Sequence, residues 1–296
     1  MDFRRQLQNV IAQGTEEREA RAIAMLLLEK RAGLTATEIL CGAADELTDE
    51  QKAELKAMAE RVREGEPVQY VLGEAEFCGL SFEVGPGVLI PRPETEELVA
   101  WAVESLKAKT DGQFNIADIG TGSGCIALAL KHALPQSQVN AIDISTDALE
   151  IAKHNAERLH LDVKFHQADA LTNSAADVLK EMVQTKVEEQ GFYDLIVSNP
   201  PYICNSEAAE MNKNVLEHEP DSALFVPDTD PLLFYREIAR WAKQVLKPGG
   251  LLMFEINRNY GEETVQLLRN EGYAEVELRR DQFDNPRMIR ATWNRY

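Results

Sequence analysis

The run Ser198-Asn199-Pro200-Pro201-Tyr202 combines residue types that suit recognition of a planar –NH2 group. Asn199 has a side-chain oxygen acceptor, and the prolines hold the chain extended with their carbonyl oxygens available to a ligand. Tyr202 adds a flat aromatic face. Two acceptors beside a flat wall can engage both hydrogens of an amide or of a nucleobase amine. A proline-rich turn that only closes a strand would have the same sequence.

The position of this run in the predicted fold favours a binding role. The apolar run Leu195-Ile196-Val197, which follows Tyr193-Asp194, predicts a buried strand that ends at Asn199. Open α/β sheets bind their ligands at the carboxyl ends of their strands. Asn199 therefore stands where a sheet of this kind would place a binding residue.

A glycine-rich loop, Gly120-Thr121-Gly122-Ser123-Gly124, follows a predicted strand at Ile116–Ile119 and precedes an apolar helix at Ile126–Leu130. Glycines let the backbone approach a ligand closely, and the following helix N-terminus offers free N–H groups and a favourable dipole. The spacing is G-x-G-x-G and differs from the dinucleotide fingerprint G-x-G-x-x-G. Taken alone, such a loop does not specify its ligand.

Two aspartates follow the next two predicted strands. Asp143 ends the strand at residues 139–143, about 20 residues after the glycines, where a carboxylate accepts hydrogen bonds from a ribose diol. A helix N-cap is the alternative for Asp143, although Ser145 or Thr146 can serve there. Asp169 follows the strand at residues 163–166, where it can accept from an adenine amino group or stay solvated.

From Asn115 onward, strand and helix patterns alternate, which is the signature of an α/β fold with a doubly wound, mostly parallel sheet. Residues 203–230 are predicted to be a long polar loop of the kind that forms a lid over a substrate. An acidic amphipathic helix over residues 173–190 is expected to be a surface insertion, with an apolar side of Val178, Leu179, Met182, Val183 and Val187. The remaining elements are a helix over 231–246, a turn at Lys247-Pro248-Gly249-Gly250, a helix near 262–270, and strands at 251–254, 275–278 and 288–293.

Residues 1–65 are predicted to be helical and to form a separate domain. Neither a titratable pair nor a glycine loop occurs there, so the domain is either a substrate-recognition module or a helical cap on the catalytic domain. Its clearest signals are a capping box at Thr48-Asp49-Glu50-Gln51 and a helical apolar stripe of Leu55, Met58, Ala59 and Val62.

Residues 66–93 have the alternating pattern of a β-hairpin and are expected to link the two domains. Tyr70-Val71-Leu72 is taken as one of its extended runs. The run Ile90–Glu96 leads from this segment into the next domain, and in it Arg92 is held between two prolines before a helix. A stiff loop of this kind can form a wall of a cleft or simply begin the helix.

Composition argues against several classes of function. Acidic residues number 50 against 31 basic ones, and the resulting charge of −19 disfavours broad contact with a phosphate backbone. The four cysteines, at positions 41, 78, 125 and 204, are too widely spaced for a disulfide framework or a zinc site. The five histidines are expected at the surface, so no metal site is predicted. No apolar stretch suits a signal peptide or a membrane span, so a soluble, cytoplasmic protein is expected.

Three features together resemble the class I S-adenosylmethionine-dependent methyltransferases that act on planar –NH2 nitrogens. They are the glycine-rich loop after the first strand, the aspartate after the second strand and N-P-P-Y after the fourth strand. Further motifs resemble the peptide chain release factor N5-glutamine methyltransferases of the HemK/PrmC type, and they lie at Gly65–Tyr70, Glu76–Gly79, Leu89–Glu96 and Lys247–Gly250. The resemblance covers nearly the whole chain. It implies a Rossmann-like, seven-stranded methyltransferase domain over residues 94–296 and an N-terminal helical domain that engages the release factor. A monomer without direct nucleic-acid contact is expected.

The resemblance also implies roles for individual residues. The loop from Gly120 to Gly124 would hold the amino-acid end of S-adenosylmethionine, and Asp143 would hold its ribose. The adenine would lie near Asp169 and Ala170, and Asn199 would also touch the cofactor. The substrate glutamine would be held by Asn199, Pro200, Pro201 and Tyr202, with Arg92 lining the cleft.

In the implied reaction, the Asn199 side-chain oxygen and the Pro200 carbonyl accept the two hydrogens of the glutamine amide, which directs its nitrogen at the sulfonium methyl. This scheme requires neither a general base nor a metal. The chain departs from the family pattern at Ala170, where an aromatic is common, at Asn257, where a glycine is expected, and in the length of residues 173–190. Asn257 and the longer segment are expected to leave the methyl-transfer geometry untouched.

Other functions remain open from the sequence. A DNA or RNA adenine-N6 methyltransferase shares N-P-P-Y, but it must flip its base and usually grips phosphates with basic residues, against which the charge argues. A ribosomal-protein glutamine methyltransferase would use the same pocket. If the protein were a nicotinamide-dependent dehydrogenase or a nucleotide-sensing module, N-P-P-Y would have no functional role.

Overall fold

The structure, a computed structural model, describes residues 2–109, 112–183 and 191–294. The described chain divides into two compact units. The first holds the chain up to Glu74 together with Val84–Pro86 and Met211–Glu219, and the second holds the remaining described residues.

Helices make up most of the first unit. The capping box predicted for α4 is present, because Thr48 Oγ1 accepts from Gln51 N while Gln51 Oε1 accepts from Thr48 N. The apolar stripe of that helix is buried in the core of the unit, as predicted. The helices of this unit are α1 (Phe3–Ile11), α2 (Glu17–Ala32), α3 (Ala36–Leu40), α4 (Asp49–Arg63), α5 (Val68–Leu72) and α10 (Lys213–His218).

The extended run predicted at Tyr70-Val71-Leu72 is wrong, since these residues form the short helix α5. Pro67 precedes this helix with a φ of −55°, which suits a helix start, and Gly73 ends it with a left-handed φ of 77°. A three-residue apolar run does not distinguish a strand from a helical turn, so the flanking proline and glycine decide. The predicted hairpin follows as β1 (Glu74–Phe77) and β2 (Leu80–Glu83).

A seven-stranded sheet forms the centre of the second unit, with the strand order β10-β11-β9-β6-β3-β4-β5. The pairs from β9 through β6, β3 and β4 to β5 are parallel, and β11 is antiparallel to both of its neighbours. The strands are β3 (Asn115–Ile119), β4 (Gln138–Asp143), β5 (Val163–Gln167), β6 (Tyr193–Ser198), β9 (Leu246–Glu255), β10 (Ala274–Arg280) and β11 (Pro286–Trp293). The predicted doubly wound, mostly parallel sheet is confirmed.

Helices cover both faces of this sheet because successive strand residues point to opposite sides. In β6, Leu195 and Val197 pack with α6 and α7, whereas Ile196 packs with α9, α12 and α13. The helices are α6 (Pro93–Lys107), α7 (Cys125–Ala133), α8 (Thr146–Leu159), α9 (Ser174–Met182), α11 (Asp221–Leu224), α12 (Leu233–Ala242) and α13 (Gly261–Asn270).

Two predicted features of the second unit need correction. The turn predicted at Lys247–Gly250 lies inside β9, where it forms a bulge: Tyr193 pairs with Leu246, but Leu195 pairs with Leu251. Gly249 supplies the positive φ, 79°, that this bulge requires. The helix predicted to extend to residue 246 accordingly ends at Ala242.

The helix predicted over residues 173–190 is α9, and it is not a surface insertion over its described length. Leu179 and Met182 are buried in the core, and the Leu179 carbonyl accepts from the Tyr193 hydroxyl at 3.0 Å. Val187 and the rest of residues 184–190 lie outside the described residues. In residues 203–230, which were predicted as a polar loop, the structure has a 3-10 helix at Asn205–Glu210, α10, α11, β7 (Ile203–Cys204) and β8 (Phe225–Val226).

No helix among the described residues is both long enough and apolar enough to cross a membrane.

Candidate active site

The carboxyl ends of β3, β4, β5 and β6 lie side by side at one edge of the sheet. Gly120 N donates to the Ile142 carbonyl at 2.9 Å, which ties the end of β3 to β4. Ala168 N donates to the Asp143 carbonyl at 3.0 Å, which ties the segment after β5 to β4. Ser198 Oγ donates to the carbonyl of Ile119 at 2.7 Å, which ties β6 to β3. These bonds bring the glycine loop, Asp143, Asp169 and Asn199 to a common edge.

The glycine loop has the backbone conformation that its sequence demands. Gly120, Gly122 and Gly124 have φ values of 71°, 54° and 82°, which only glycine adopts readily. A Cβ at Gly120 or Gly122 would meet no atom within 4 Å, so the loop presents open backbone there. A Cβ at Gly124 would lie 3.2 Å from Ala152 Cβ, because α7 packs closely against α8.

Asp143 anchors this loop as well as ending β4. Its Oδ2 accepts from Gly122 N at 2.8 Å and its Oδ1 accepts from Ser145 N at 2.9 Å. Ser145, not Asp143, is the N-cap of α8, since its Oγ accepts from Ala148 N. Burial raises the pKa of Asp143, and the three backbone amides that face it oppose that effect. Each carboxylate oxygen keeps a further lone pair for a ligand hydroxyl.

Asp118 supports the loop from behind and was missed from the sequence. Its Oδ2 accepts from Thr121 Oγ1 at 2.6 Å and from Ala127 N at 3.2 Å. Its Oδ1 has no hydrogen-bond partner among the described residues, and burial raises the pKa of this carboxyl to about 7. The signal in the sequence is an aspartate inside an apolar strand, two residues before the loop, because an unpaired carboxylate is costly to bury.

Asp169 and Ala170 lie in a turn after β5. Asp169 Oδ1 accepts from Leu171 N at 2.8 Å, and the Ala170 carbonyl accepts from Trp241 Nε1 at 2.9 Å. Both residues are half-buried. Their predicted contact with an adenine stays a prediction.

Asn199 is held by residues that come from two other elements. Its Nδ2 donates to Thr95 Oγ1 at 3.2 Å, and Thr95 Oγ1 donates to Glu255 Oε2 at 2.6 Å. Tyr202 donates its hydroxyl hydrogen to Glu255 Oε1 at 3.1 Å. Asn199 and Tyr202, the first and last residues of N-P-P-Y, are therefore both connected to the buried carboxylate of Glu255. Pro200 and the half-buried Pro201 stand between them in the sequence.

The surroundings of Glu255 shift its pKa in opposite directions. Burial raises the pKa of Glu255, and the Thr95 hydroxyl and the Arg287 charge act in the other direction. Burial and then the Glu255 charge raise the pKa of the Tyr202 phenol, against the charges of Arg287 and Arg92. Arg92 itself is half-buried at the N-cap of α6.

Thr95 and Glu255 were missed as site residues. In the sequence, Thr95 lies within the Ile90–Glu96 motif, and Glu255 directly follows the apolar strand predicted at 251–254. A threonine and a glutamate that are 2% and 1% exposed need polar partners, but the sequence does not say which.

The Asn257 side chain contacts the end of N-P-P-Y, and the expectation that it leaves the methyl-transfer geometry untouched stays a prediction. Its Nδ2 donates to the Tyr202 carbonyl at 3.0 Å and to Glu207 Oε2 at 2.8 Å. Its Oδ1 accepts from Asn259 N at 2.9 Å, which caps a short helix. An asparagine replaces the expected glycine, and it fixes the backbone that leaves N-P-P-Y.

The described residues contain no cluster of histidine, cysteine or acidic side chains that could hold a metal ion. Four of the five histidines are exposed, and His218 is half-buried with Nδ1 3.0 Å from the Asn214 carbonyl.

Two protein families match the chain. The Methyltransferase small domain family matches residues 100–221, which contain the glycine loop and N-P-P-Y. The PrmC N-terminal domain family matches residues 4–73, close to the first unit's limit at Glu74 and beyond the predicted limit at residue 65.

Similar proteins cover nearly the whole chain. The release factor glutamine methyltransferase of Bacteroides thetaiotaomicron is 43% identical over 92% of this chain and 92% of its own. The corresponding enzyme of Flavobacterium psychrophilum is 40% identical over 99% of this chain and 98% of its own. A solved T. thermophilus 16S rRNA N2 G1207 methyltransferase, 18% identical, covers 75% of this chain and 50% of its own with a TM-score of 0.51, which shows the class I methyltransferase fold alone. At these identities and coverages, the chain belongs to the release factor glutamine methyltransferase family.

Proposed function

We propose that this protein transfers a methyl group from S-adenosylmethionine to the side-chain amide nitrogen, N5, of the glutamine in the Gly-Gly-Gln loop of a peptide chain release factor. The observation that carries the proposal is the Asn199 amide, whose nitrogen donates to Thr95 Oγ1 while its oxygen accepts no hydrogen bond from the described residues. That oxygen stands at the end of β6, on the same sheet edge as the glycine loop.

The residues present fit S-adenosylmethionine. Open backbone at Gly120 and Gly122 suits the amino-acid end of the cofactor, together with Thr121, Ser123 and Gly124 of the same loop. Asp143 keeps lone pairs for the ribose hydroxyls, and Asp169 and Ala170 follow on the next strand for the adenine. When bound, the cofactor supplies an electrophilic methyl group on a sulfonium.

The chain's own task is then to position the acceptor amide. An amide nitrogen is a weak nucleophile because its lone pair is delocalised into the carbonyl. Asn199 Oδ1 and the Pro200 carbonyl accept its two hydrogens and fix its direction, which lowers the barrier mainly through orientation. Pro201, Tyr202 and Arg92 form the walls against which the glutamine side chain packs.

A release factor is favoured over nucleic acid as the substrate. Relatives that match 92% and 99% of the chain are named for release factors, and the charge of −19 opposes unaided binding to a phosphate backbone. We propose that the N-terminal helical unit contacts the factor away from its Gly-Gly-Gln loop. The enzyme would act as a monomer in the compartment where translation occurs.

The test is transfer of label from S-adenosylmethionine to intact release factor. We expect labelling of the wild-type factor and none of a factor whose Gly-Gly-Gln is changed to Gly-Gly-Asn, because the shorter side chain does not reach Asn199. Equal labelling of both factors, or labelling of DNA adenine or of a ribosomal protein in place of the factor, would reject the proposal.

A further inference from the structure

The side chains around Asn199 form a continuous chain of hydrogen bonds that begins and ends in N-P-P-Y. It runs from Asn199 Nδ2 to Thr95 Oγ1 over 3.2 Å and from Thr95 Oγ1 to Glu255 Oε2 over 2.6 Å. It returns from Glu255 Oε1 to the Tyr202 hydroxyl over 3.1 Å. Thr95 and Glu255 are buried, so water does not substitute for either partner.

The donor and acceptor roles in this chain are fixed by chemistry. The Thr95 and Tyr202 hydroxyls both donate to Glu255, whose carboxyl oxygens accept. The Thr95 hydroxyl has one hydrogen, and since it gives that hydrogen to Glu255, its oxygen can only accept from Asn199. The Asn199 amide must therefore turn its NH2 group toward Thr95. Its oxygen is left as the acceptor on the other side.

The position of Thr95 supports a role beyond helix capping. It lies at the third position of α6, and the N-cap of that helix is Arg92, which makes no side-chain cap bond. The Thr95 side chain bonds instead with the ends of β6 and β9. Asn199 is thus linked to the Glu255 carboxylate through Thr95, and Tyr202 is linked to it directly.

We propose that Thr95 and Glu255 are positioning residues, which hold the Asn199 amide in the one orientation that presents Oδ1 to the substrate nitrogen. This inference rests on the proposed function. Without the Thr95 hydroxyl, the Asn199 amide rotates freely between two orientations, and in one of them it presents donor hydrogens to an amide that is itself a donor.

The experiment compares Thr95→Val, which keeps the shape but loses the hydroxyl, with Thr95→Ser, which keeps the hydroxyl. For transfer to intact release factor, we expect Thr95→Val to lower kcat about 10- to 100-fold, less than the loss of a polar group that itself contacts the reacting atoms, because Thr95 acts through Asn199. The Kd for S-adenosylmethionine should change less than about twofold, because Thr95 bonds Asn199 and Glu255 and not the glycine loop. Thr95→Ser should restore most of the turnover.

A matched control is available in Thr292, whose Oγ1 donates to Glu275 Oε2 at 2.9 Å in the β10–β11 pair. Thr292→Val removes a similar threonine–glutamate bond from a different part of the sheet. It should leave kcat at the wild-type value. A general loss of stability would lower the activity of both valine variants alike.

A double variant separates positioning from other effects. In an Asn199→Ala background, Thr95→Val should change kcat less than about twofold, because no amide is left to orient. An equal loss with and without the Asn199 side chain would overturn the inference, as would equal kcat values for Thr95→Val and the wild type. Absence of transfer by the wild-type enzyme would instead reject the proposed function, so the two failures are distinguishable.

Discussion

Asn257→Asp tests the hydrogen bonds by which the Asn257 side chain holds the backbone at the end of N-P-P-Y. The Asn257 side chain is 5% exposed, and its NH2 group donates to the Tyr202 carbonyl and to Glu207 Oε2. Glu207 is also bonded by Cys204 N and by Asn259 Nδ2, so it connects several backbone segments. An aspartate keeps the size and the cap on Asn259 N but has no hydrogen to donate.

The expected cost follows from the bonds that are lost. The bond to the Tyr202 carbonyl is neutral and the bond to Glu207 is charge-assisted, so together they predict a loss of about 2–4 kcal/mol in the free energy of unfolding. Two carboxylates then face each other, and their repulsion adds to this loss while both are ionised. The deficit should shrink as the pH falls, because one of the two takes up a proton.

Urea unfolding at pH 5 and pH 8 measures this effect. Glu207→Gln in the Asn257→Asp background should recover at least half of the loss at pH 8, since the glutamine can donate to the new carboxylate. The reasoning would be refuted if Asn257→Asp were as stable as the wild type at pH 8. It would also be refuted if Glu207→Gln made the double variant less stable than Asn257→Asp alone.

Three further outcomes are expected. Asp143→Ala should weaken S-adenosylmethionine binding about 10- to 100-fold in calorimetry, because it removes both a ribose acceptor and the anchor of Gly122 N. Burial raises the pKa of Asp118 to about 7, so between about pH 4 and 7 the unfolded wild type has lost a proton that the folded protein keeps, and the free energy of unfolding falls as the pH rises. Asp118→Asn lacks this group, so its free energy of unfolding should rise relative to that of the wild type over the same range. A difference that does not change with pH in urea unfolding would contradict this. Asn199→Asp should hold or tighten cofactor binding but lower methyl transfer about 10²-fold, because the added charge favours the cationic ground state; unchanged turnover would remove Asn199 from the acceptor site.

The sheet could be predicted from the sequence because its strands are short apolar runs that end in polar or glycine residues. Leu195–Val197 packs against both layers of helices, so every position in it is apolar. The carboxyl ends of parallel strands share an edge, which is why the glycine loop, Asp143 and Asn199 could be grouped without a structure. The short helix α5 could not be identified, because its five residues are too few to show a helical period.

The residues that hold the site in place could not be predicted, because their contacts join parts of the chain that are distant in sequence. Thr95 lies 104 residues before Asn199 and 160 residues before Glu255. A single sequence contains no signal for such a pairing beyond the presence of polar residues in apolar surroundings. The same holds for Asn257, whose role depends on Tyr202 and Glu207, 55 and 50 residues away.

The central claim is that the methyl group is placed on the side-chain nitrogen of a glutamine. The most direct measurement is acid hydrolysis of release factor that has been methylated with labelled S-adenosylmethionine, followed by identification of the labelled product. Hydrolysis of an N5-methylated amide releases methylamine, so labelled methylamine is the predicted product. Label released as methanol under mild base would indicate a carboxyl ester, label retained on an amino acid would indicate another acceptor, and either result would contradict the account.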